Sequence, residues 1–137
     1  MIEVTVEREL DAPLARVWAL LEDFGNLDWF PGWTKIDVIG SGVGMLRRIH
    51  MEGMDPIDEK LESLDPAAHT FRYSIPNIPM PVTDYRADVR VIGTDKGCRV
   101  IWRCQAKPAG IPAADAKAML EGVYSDMISK LEAAARN

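Results

Sequence analysis

Apolar and polar residues alternate with a period of two over residues 2–10, IEVTVEREL, which predicts a strand with one buried face. Asp11 can then cap a following helix through its side-chain oxygen. Pro13 suits a first helical turn, a position whose amide hydrogen would go unused. The period changes there: Leu14, Val17, Trp18 and Leu21 fall at i, i+3, i+4 and i+7, which makes one apolar helical face. This helix is expected to end near Phe24-Gly25-Asn26, because glycine and asparagine tolerate the left-handed conformation of a helix stop. Two short helices are expected in all between the first strand and the second. The stretch LDWFPGWTK, residues 27–35, gathers Trp29, Phe30 and Trp33 around a Pro31-Gly32 turn. Trp29 is expected to anchor the short helices, and Trp33 to swing inward toward Met127 and Leu131.

Six further strands follow, at Thr34–Ile39, Met45–Met51, Ile57–Leu64, Thr70–Ile75, Thr83–Ile92 and Cys98–Ala106. The breaks between them are short and rich in turn formers: Gly40-Ser41-Gly42, Gly53 to Pro56, Asp65-Pro66, PNIPMP at 76–81, and Thr94 to Gly97. Short breaks favour hairpins, hence an antiparallel meander. From Ile111 to about Ala135 the pattern is helical again, with Pro112 at the start and Asp115 in the first turn. Ala116, Met119, Leu120, Val123, Met127, Leu131 and Ala134 form its apolar stripe. At 1.5 Å per residue such a helix spans ~36 Å, enough to cross a small sheet. The predicted class is α+β, a seven-stranded antiparallel sheet that must curve around one long C-terminal helix to bury both apolar faces. The space between them is hard to fill completely, so a cavity, and with it a ligand, is expected.

The 137 residues fit one domain, 1–137. A net charge of −5 and no basic run beyond Arg47-Arg48 exclude a sequence-independent grip on nucleic acid. The first twenty residues mix charged and apolar positions and lack the apolar run of a signal peptide or membrane span. A cytoplasmic protein without membrane insertion is therefore expected. Cys98 and Cys104 share one strand, about 20 Å apart at ~3.3 Å per residue, too far to bond. His50 and His69 fall on outward or loop positions without carboxylates at ligand spacing, so neither a metal nor a cofactor is expected. No cysteine or serine sits beside a histidine base, which argues against covalent hydrolysis.

Strand alternation sorts the faces. Tyr85, Ala87, Val89 and Val91 point toward the helix, as do Cys98, Val100, Trp102 and Cys104, and Phe71, Tyr73 and Ile75. Met45, Arg47, Ile49 and Met51 form the more apolar face of their strand, which turns Arg47 inward or to the sheet edge. In 57–64 the set Ile57, Glu59, Leu61 and Ser63 competes with Asp58, Lys60, Glu62 and Leu64, and periodicity does not choose between them.

The element order, Asp11-Ala-Pro-Leu followed by Val17-Trp18, the Trp29…Pro31 turn, Gly44-Met-Leu-Arg-Arg48, and "RYSI…PVTDYRADVRV" at 72–91 together resemble the SRPBCC or START-like superfamily. The resemblance is to its polyketide cyclase/dehydrase and lipid transport subgroup, related to the Bet v 1 allergens and the plant abscisic-acid receptors. It spans essentially the whole chain and implies a helix-grip fold, with an apolar cavity between sheet and helix. The implied mouth is framed by Glu52–Pro56 and Asn77–Pro81. An acidic residue of the plant receptors aligned with Glu59 lies inside the pocket, which favours the first set in 57–64.

The ligand-lining residues expected on these grounds are Phe30, Trp33, Arg47, Ile49, Met51, Glu59, Tyr73 and Ile75, continuing with Met80, Tyr85, Ala87, Trp102, Met119, Val123 and Met127. Arg47 and Glu59 would each be costly alone in an apolar cavity and far less so as a pair. Methionines at 45, 51, 54, 80, 119 and 127 suit a wall that adapts to varied apolar shapes. Two functions fit. One is binding or transport of a small hydrophobic molecule such as a lipid, polyketide or aromatic metabolite. The other is a polyketide cyclase/dehydratase-type enzyme in which Tyr85, Glu59 and Arg47 supply proton transfer and enolate stabilisation. A weaker third reading has Trp29, Phe30, Trp33 and the 76–81 loop as an exposed partner patch. A homodimer through the rim loops is compatible with the superfamily.

Overall fold

The strand with the cleanest alternation sets the architecture. Cys98, Val100, Trp102, Cys104 and Ala106 are buried, while Arg99, Arg103 and Gln105 face water. That strand, β7 (Cys98–Pro108), lies between β1 (Ile2–Leu10) and β6 (Val82–Gly93) in the computed structural model, which describes residues 1–136. Beyond β6 come β5 (Thr70–Ser74), β4 (Ile57–Asp65), β3 (Leu46–His50) and β2 (Lys35–Ile39). The sheet order is β1-β7-β6-β5-β4-β3-β2 and every neighbouring pair is antiparallel. Two helices complete the chain, α1 (Leu14–Glu22) and α2 (Ala113–Arg136). The sheet curves around α2, which packs on β1, β7 and α1, so the architecture is the helix-grip fold.

Four local expectations are corrected. Only the first of the two short helices forms. After Glu22 the chain runs in turns, because Asn26 Oδ1 accepts the Asp28 amide at 3.0 Å and Pro31 cannot extend the single turn closed by Phe30 N–H to the Leu27 carbonyl. At the start of α1, Pro13 rather than Asp11 is the N-cap, with no side-chain cap; the Asp11 amide is instead held by Glu132 Oε2 at 2.8 Å.

In β4 the pairing slips between Leu61 and Ser63. This bulge resets the alternation, so Leu61 and Leu64 both turn to the core opposite Tyr73 and Phe71, and Ser63 is exposed. No single period could have sorted that strand. Finally, the buried face of α2 consists of Ala116, Leu120, Tyr124, Met127, Ile128, Leu131 and Ala135. It is turned from the expected stripe, leaving Met119 45% and Val123 38% exposed. Burying the Tyr124 ring and Ile128 against the sheet removes more apolar surface from water than the other face offers.

Cys98 and Cys104 are free and buried. Trp29 packs into the core against Trp102 and Phe30, with ring centres 6.5 and 5.8 Å away, rather than tying down a second short helix.

Candidate functional site

The inward faces of β3 to β6, the turns 27–33 and 78–80, and one side of α2 enclose a cavity of about 160 Å³. Its walls are mostly apolar: Leu27, Phe30, Trp33, Ile49, Met51, Ile57, Ile75, Ile78, Pro79, Met80, Leu120, Val123 and Met127. Three tyrosines, Tyr73, Tyr85 and Tyr124, and one charged pair, Arg47 and Glu59, supply the polar groups.

Backbone register delivers each of these. Arg47 and Glu59 are directly opposed across β3 and β4, so both point to the same face. Arg47 is 4% exposed and both its Nε and Nη2 lie 2.6 Å from Glu59 Oε1. Its Nη1 donates to the Phe24 carbonyl at 2.8 Å, and the guanidinium carbon stands 3.9 Å from the Phe24 ring centre. The arginine is thus neutralised and hydrogen-bonded inside the fold, the condition under which a buried charge is tolerated.

Tyr85 reaches the cavity through a bulge. Thr83 pairs with Lys107 and Arg86 with Gln105, which leaves Asp84 and Tyr85 together against Ala106. Asp84 takes the left-handed conformation at φ 53, which aspartate adopts more readily than most residues, and its carboxylate meets Lys107 Nζ at 3.2 Å. The extra residue lets both Val82 and Tyr85 point inward from one strand.

The three tyrosines, which are all the tyrosines of the chain, form one hydrogen-bonded row. Trp102 Nε1 donates to the Tyr73 hydroxyl at 3.0 Å, the Tyr73 and Tyr85 hydroxyls lie 3.4 Å apart, and the Tyr85 hydroxyl touches that of Tyr124. Burial pushes all three hydroxyls well above the usual phenol value of 10.0, and the Glu59 charge adds to the effect on Tyr73. They are therefore neutral donors across the physiological range.

One expected result follows from these shifts. The unfolded chain loses tyrosine protons above pH 10 while the folded chain holds them, so stability is complete below pH 10 and declines as pH rises past it. The slope is about 1.36 kcal/mol per pH unit for each tyrosine. Because no other tyrosine exists, ultraviolet phenolate absorbance in an alkaline titration should stay flat until base unfolds the domain, and then rise for all three together. A phenolate signal that titrates near pH 10 in still-folded protein would contradict the buried row.

Of the residues expected from sequence, Phe30, Trp33, Arg47, Ile49, Met51, Glu59, Tyr73, Ile75, Met80, Tyr85, Val123 and Met127 are brought together around this cavity. Trp33 also donates its indole hydrogen to the Leu27 carbonyl at 3.1 Å. Ala87 and Trp102 are core residues outside the cavity wall; Trp102 acts on it only by way of Tyr73. Met119 faces solvent because α2 is turned toward Tyr124. Tyr124 is the polar wall residue that sequence reasoning missed. Its signal is an equally regular stripe, 116-120-124-127-128-131-135, that shares Ala116, Leu120, Met127 and Leu131 with the expected one.

The outer face of the sheet carries a wider trough of about 880 Å³, lined by Arg72, Arg86, Asp88, Arg103, Glu3 and Gln105 among others. Four of its side chains pair in water, Arg103 with Asp88 and Gln105 with Glu3, each at 3.0 Å. Such an open charged surface offers a ligand little desolvation, and we place the site on the inner face. Among the described residues, no three His, Cys, Asp or Glu side chains cluster as metal ligands, and no helix is long and apolar enough to cross a membrane. His50 pairs with Asp37 at 2.8 Å, and His69 packs edge-on against Trp18.

Known proteins match this arrangement over its full length. XoxI from Bacillus cereus is 28% identical, with a TM-score of 0.86 over 100% of this chain and 97% of its own. An uncharacterised protein from Bacillus thuringiensis is 27% identical, with a TM-score of 0.88 over 99% of this chain and 100% of its own. Norcoclaurine synthase from Thalictrum flavum, solved in complex with dopamine and hydroxybenzaldehyde, shares the fold at 19% identity and a TM-score of 0.74, over 96% of this chain and 84% of its own. None of the curated proteins matches the chain. The family model described as polyketide cyclase / dehydrase and lipid transport matches residues 1–136, and the chain accordingly belongs to that family, within the SRPBCC superfamily that its sequence motifs resemble.

Proposed function

We propose that this protein binds and carries a small hydrophobic molecule in the cavity between the sheet and α2. The observation that carries the reading is the composition of the wall. Apolar side chains from every quarter converge on it, and the only two charged residues, Arg47 and Glu59, neutralise each other. A largely apolar pocket with a few converging polar groups is the usual form of a small-molecule site. The family description, which includes lipid transport, supports a hydrophobic ligand-binding role.

A second reading is favoured by one specific feature, the row of neutral tyrosine hydroxyls beside the Arg47–Glu59 pair. Such a row could protonate or steady a developing enolate, as a cyclase or dehydratase requires. Native mass spectrometry of protein purified from its own host separates the possibilities. A carrier is expected to show a discrete mass excess that organic solvent extracts, and that molecule, returned to the stripped protein, should come back unchanged. An enzyme would convert it, and Tyr85→Phe or Glu59→Gln would then abolish turnover. In a carrier the same substitutions should cost only about 1–3 kcal/mol of affinity. Protein that is consistently empty, and that takes up none of its host's extracted lipids or aromatics, would overturn the ligand-binding reading.

A further inference from the structure

Two properties of the cavity, its size and its proton count, narrow the ligand further; this step rests on the cavity being the ligand site. The volume of about 160 Å³ is well below the roughly 300–1,000 Å³ of pockets for drug-sized molecules. It is close to the ~150 Å³ of an apolar cavity that admits benzene. A single ring fills it, whereas an acyl chain or a multi-ring ketide would have to extend beyond it.

The hydrogen-bonded row has one proton too many. An indole N–H can only donate, and each phenol has one hydrogen to give. Trp102, Tyr73, Tyr85 and Tyr124 therefore bring four donors to three contacts, which are Trp102 to Tyr73, Tyr73 with Tyr85, and Tyr85 with Tyr124. Whichever way the hydroxyls turn, Trp102 must donate to Tyr73 and one tyrosine hydrogen is left over. It resides on Tyr73, Tyr85 or Tyr124 according to the arrangement, and all three line the cavity. Near the row the sulfur of Cys104 offers only a weak acceptor beside Tyr124. A buried donor without a partner costs about 1–3 kcal/mol, so a ligand oxygen that accepts it gains a comparable preference.

The same inventory excludes an anionic partner. A carboxylate ligand would need a cation, and the buried guanidinium is already committed to Glu59 and the Phe24 carbonyl. Bringing a second carboxylate beside Glu59 would leave a charge unpaired in an apolar wall. We infer that the ligand is an uncharged single-ring compound bearing a carbonyl oxygen, held by the tyrosine hydrogen that the row cannot use internally.

The test is a calorimetric titration of the full chain with four probes: acetophenone, ethylbenzene, benzoate and laurate. Acetophenone is expected to bind about tenfold or more tightly than ethylbenzene, although ethylbenzene is the more hydrophobic, and to exceed benzoate and laurate as well. The carbonyl stretch of labelled acetophenone should fall in frequency on binding. In the triple variant Tyr73→Phe/Tyr85→Phe/Tyr124→Phe, both the preference and the frequency shift should vanish while ethylbenzene still binds. The probe series on the unaltered protein stands whether or not that variant folds. Binding of ethylbenzene as tight as acetophenone, or tighter binding of laurate or benzoate, would overturn this ligand class and leave the hydrophobic-binding reading intact. Failure of all four to bind would overturn this ligand class, and uptake of the host's extracted molecules would then decide the hydrophobic-binding reading separately.

Discussion

Replacing Arg47 by leucine should destabilise the domain by about 3–5 kcal/mol, the usual result of removing one partner from a buried ion pair. Three losses combine. The Glu59 carboxylate, whose side chain is 14% exposed, is left in an apolar wall with no cation against it. The Phe24 carbonyl loses the donor that stands 2.8 Å away. The Phe24 ring loses the guanidinium stacked on its face. The informative control is the double variant Arg47→Leu/Glu59→Leu, in which no charge remains. It should recover most of the deficit, because apolar replacement of a whole buried pair is often neutral, and retain a cost of about 1–3 kcal/mol for the orphaned Phe24 carbonyl. Urea unfolding midpoints of the two variants measure this directly. A single variant within about 1 kcal/mol of the parent, or a double variant worse than the single, would show that the pair is not buried as described.

That pair also marks where sequence reasoning reached and where it stopped. Alternation in 45–51 puts Arg47 on the side of Met45, Ile49 and Met51, which leaves it inward or at the sheet edge, and the structure buries it. Glu59 was different. The β4 bulge puts Leu61 and Leu64 on one face, so the strand has no single period, and only the family resemblance favoured an inward Glu59. Periodicity describes a regular element; a bulge is set by pairing with a neighbour distant in sequence, which no local window contains. The same limit explains Tyr124. Two helical stripes on α2 were equally regular, and the choice between them depends on what the opposite wall offers. Tyr85, thirty-nine residues earlier, supplies a hydroxyl partner for Tyr124 and none for Met119. The run of antiparallel hairpins from β2 to β7 and the long helix were legible because short strands with turn formers between them and twenty-four helical residues repeat their signals many times over. The seating of β1 beside β7 joins segments too distant in sequence for any local signal to show.

The second large effect lies far from the cavity, at Gly97, where alanine should cost on the order of 3–4 kcal/mol and lower the melting temperature by roughly 10–15 °C. Gly97 closes the turn between β6 and β7, exchanging backbone hydrogen bonds with Thr94 at 3.1 and 3.3 Å. Its open side is pressed against the corner that leads from β1 to α1. A methyl group there would stand 2.5 Å from the Ala12 carbonyl oxygen and 2.8 Å from the Ala12 nitrogen, and closer still to the Leu10 carbonyl. All three are backbone atoms between two buried residues, so no side chain can swing aside. Relief requires moving the hairpin away from the corner, and Leu10 is paired with Cys98 just beyond the turn. The same substitution at Gly122, inside α2 and with nothing within 4 Å of the added carbon, should have the opposite sign. There alanine should stabilise the helix by about 0.5–1 kcal/mol, since it loses less backbone freedom on folding. Thermal unfolding of the two variants side by side isolates the cause, because the chemical change is identical and only the space differs. If Gly97→Ala melts within a few degrees of the parent, the hairpin does not seat on the β1–α1 corner, and the close packing that joins the sheet to its first helix is wrong.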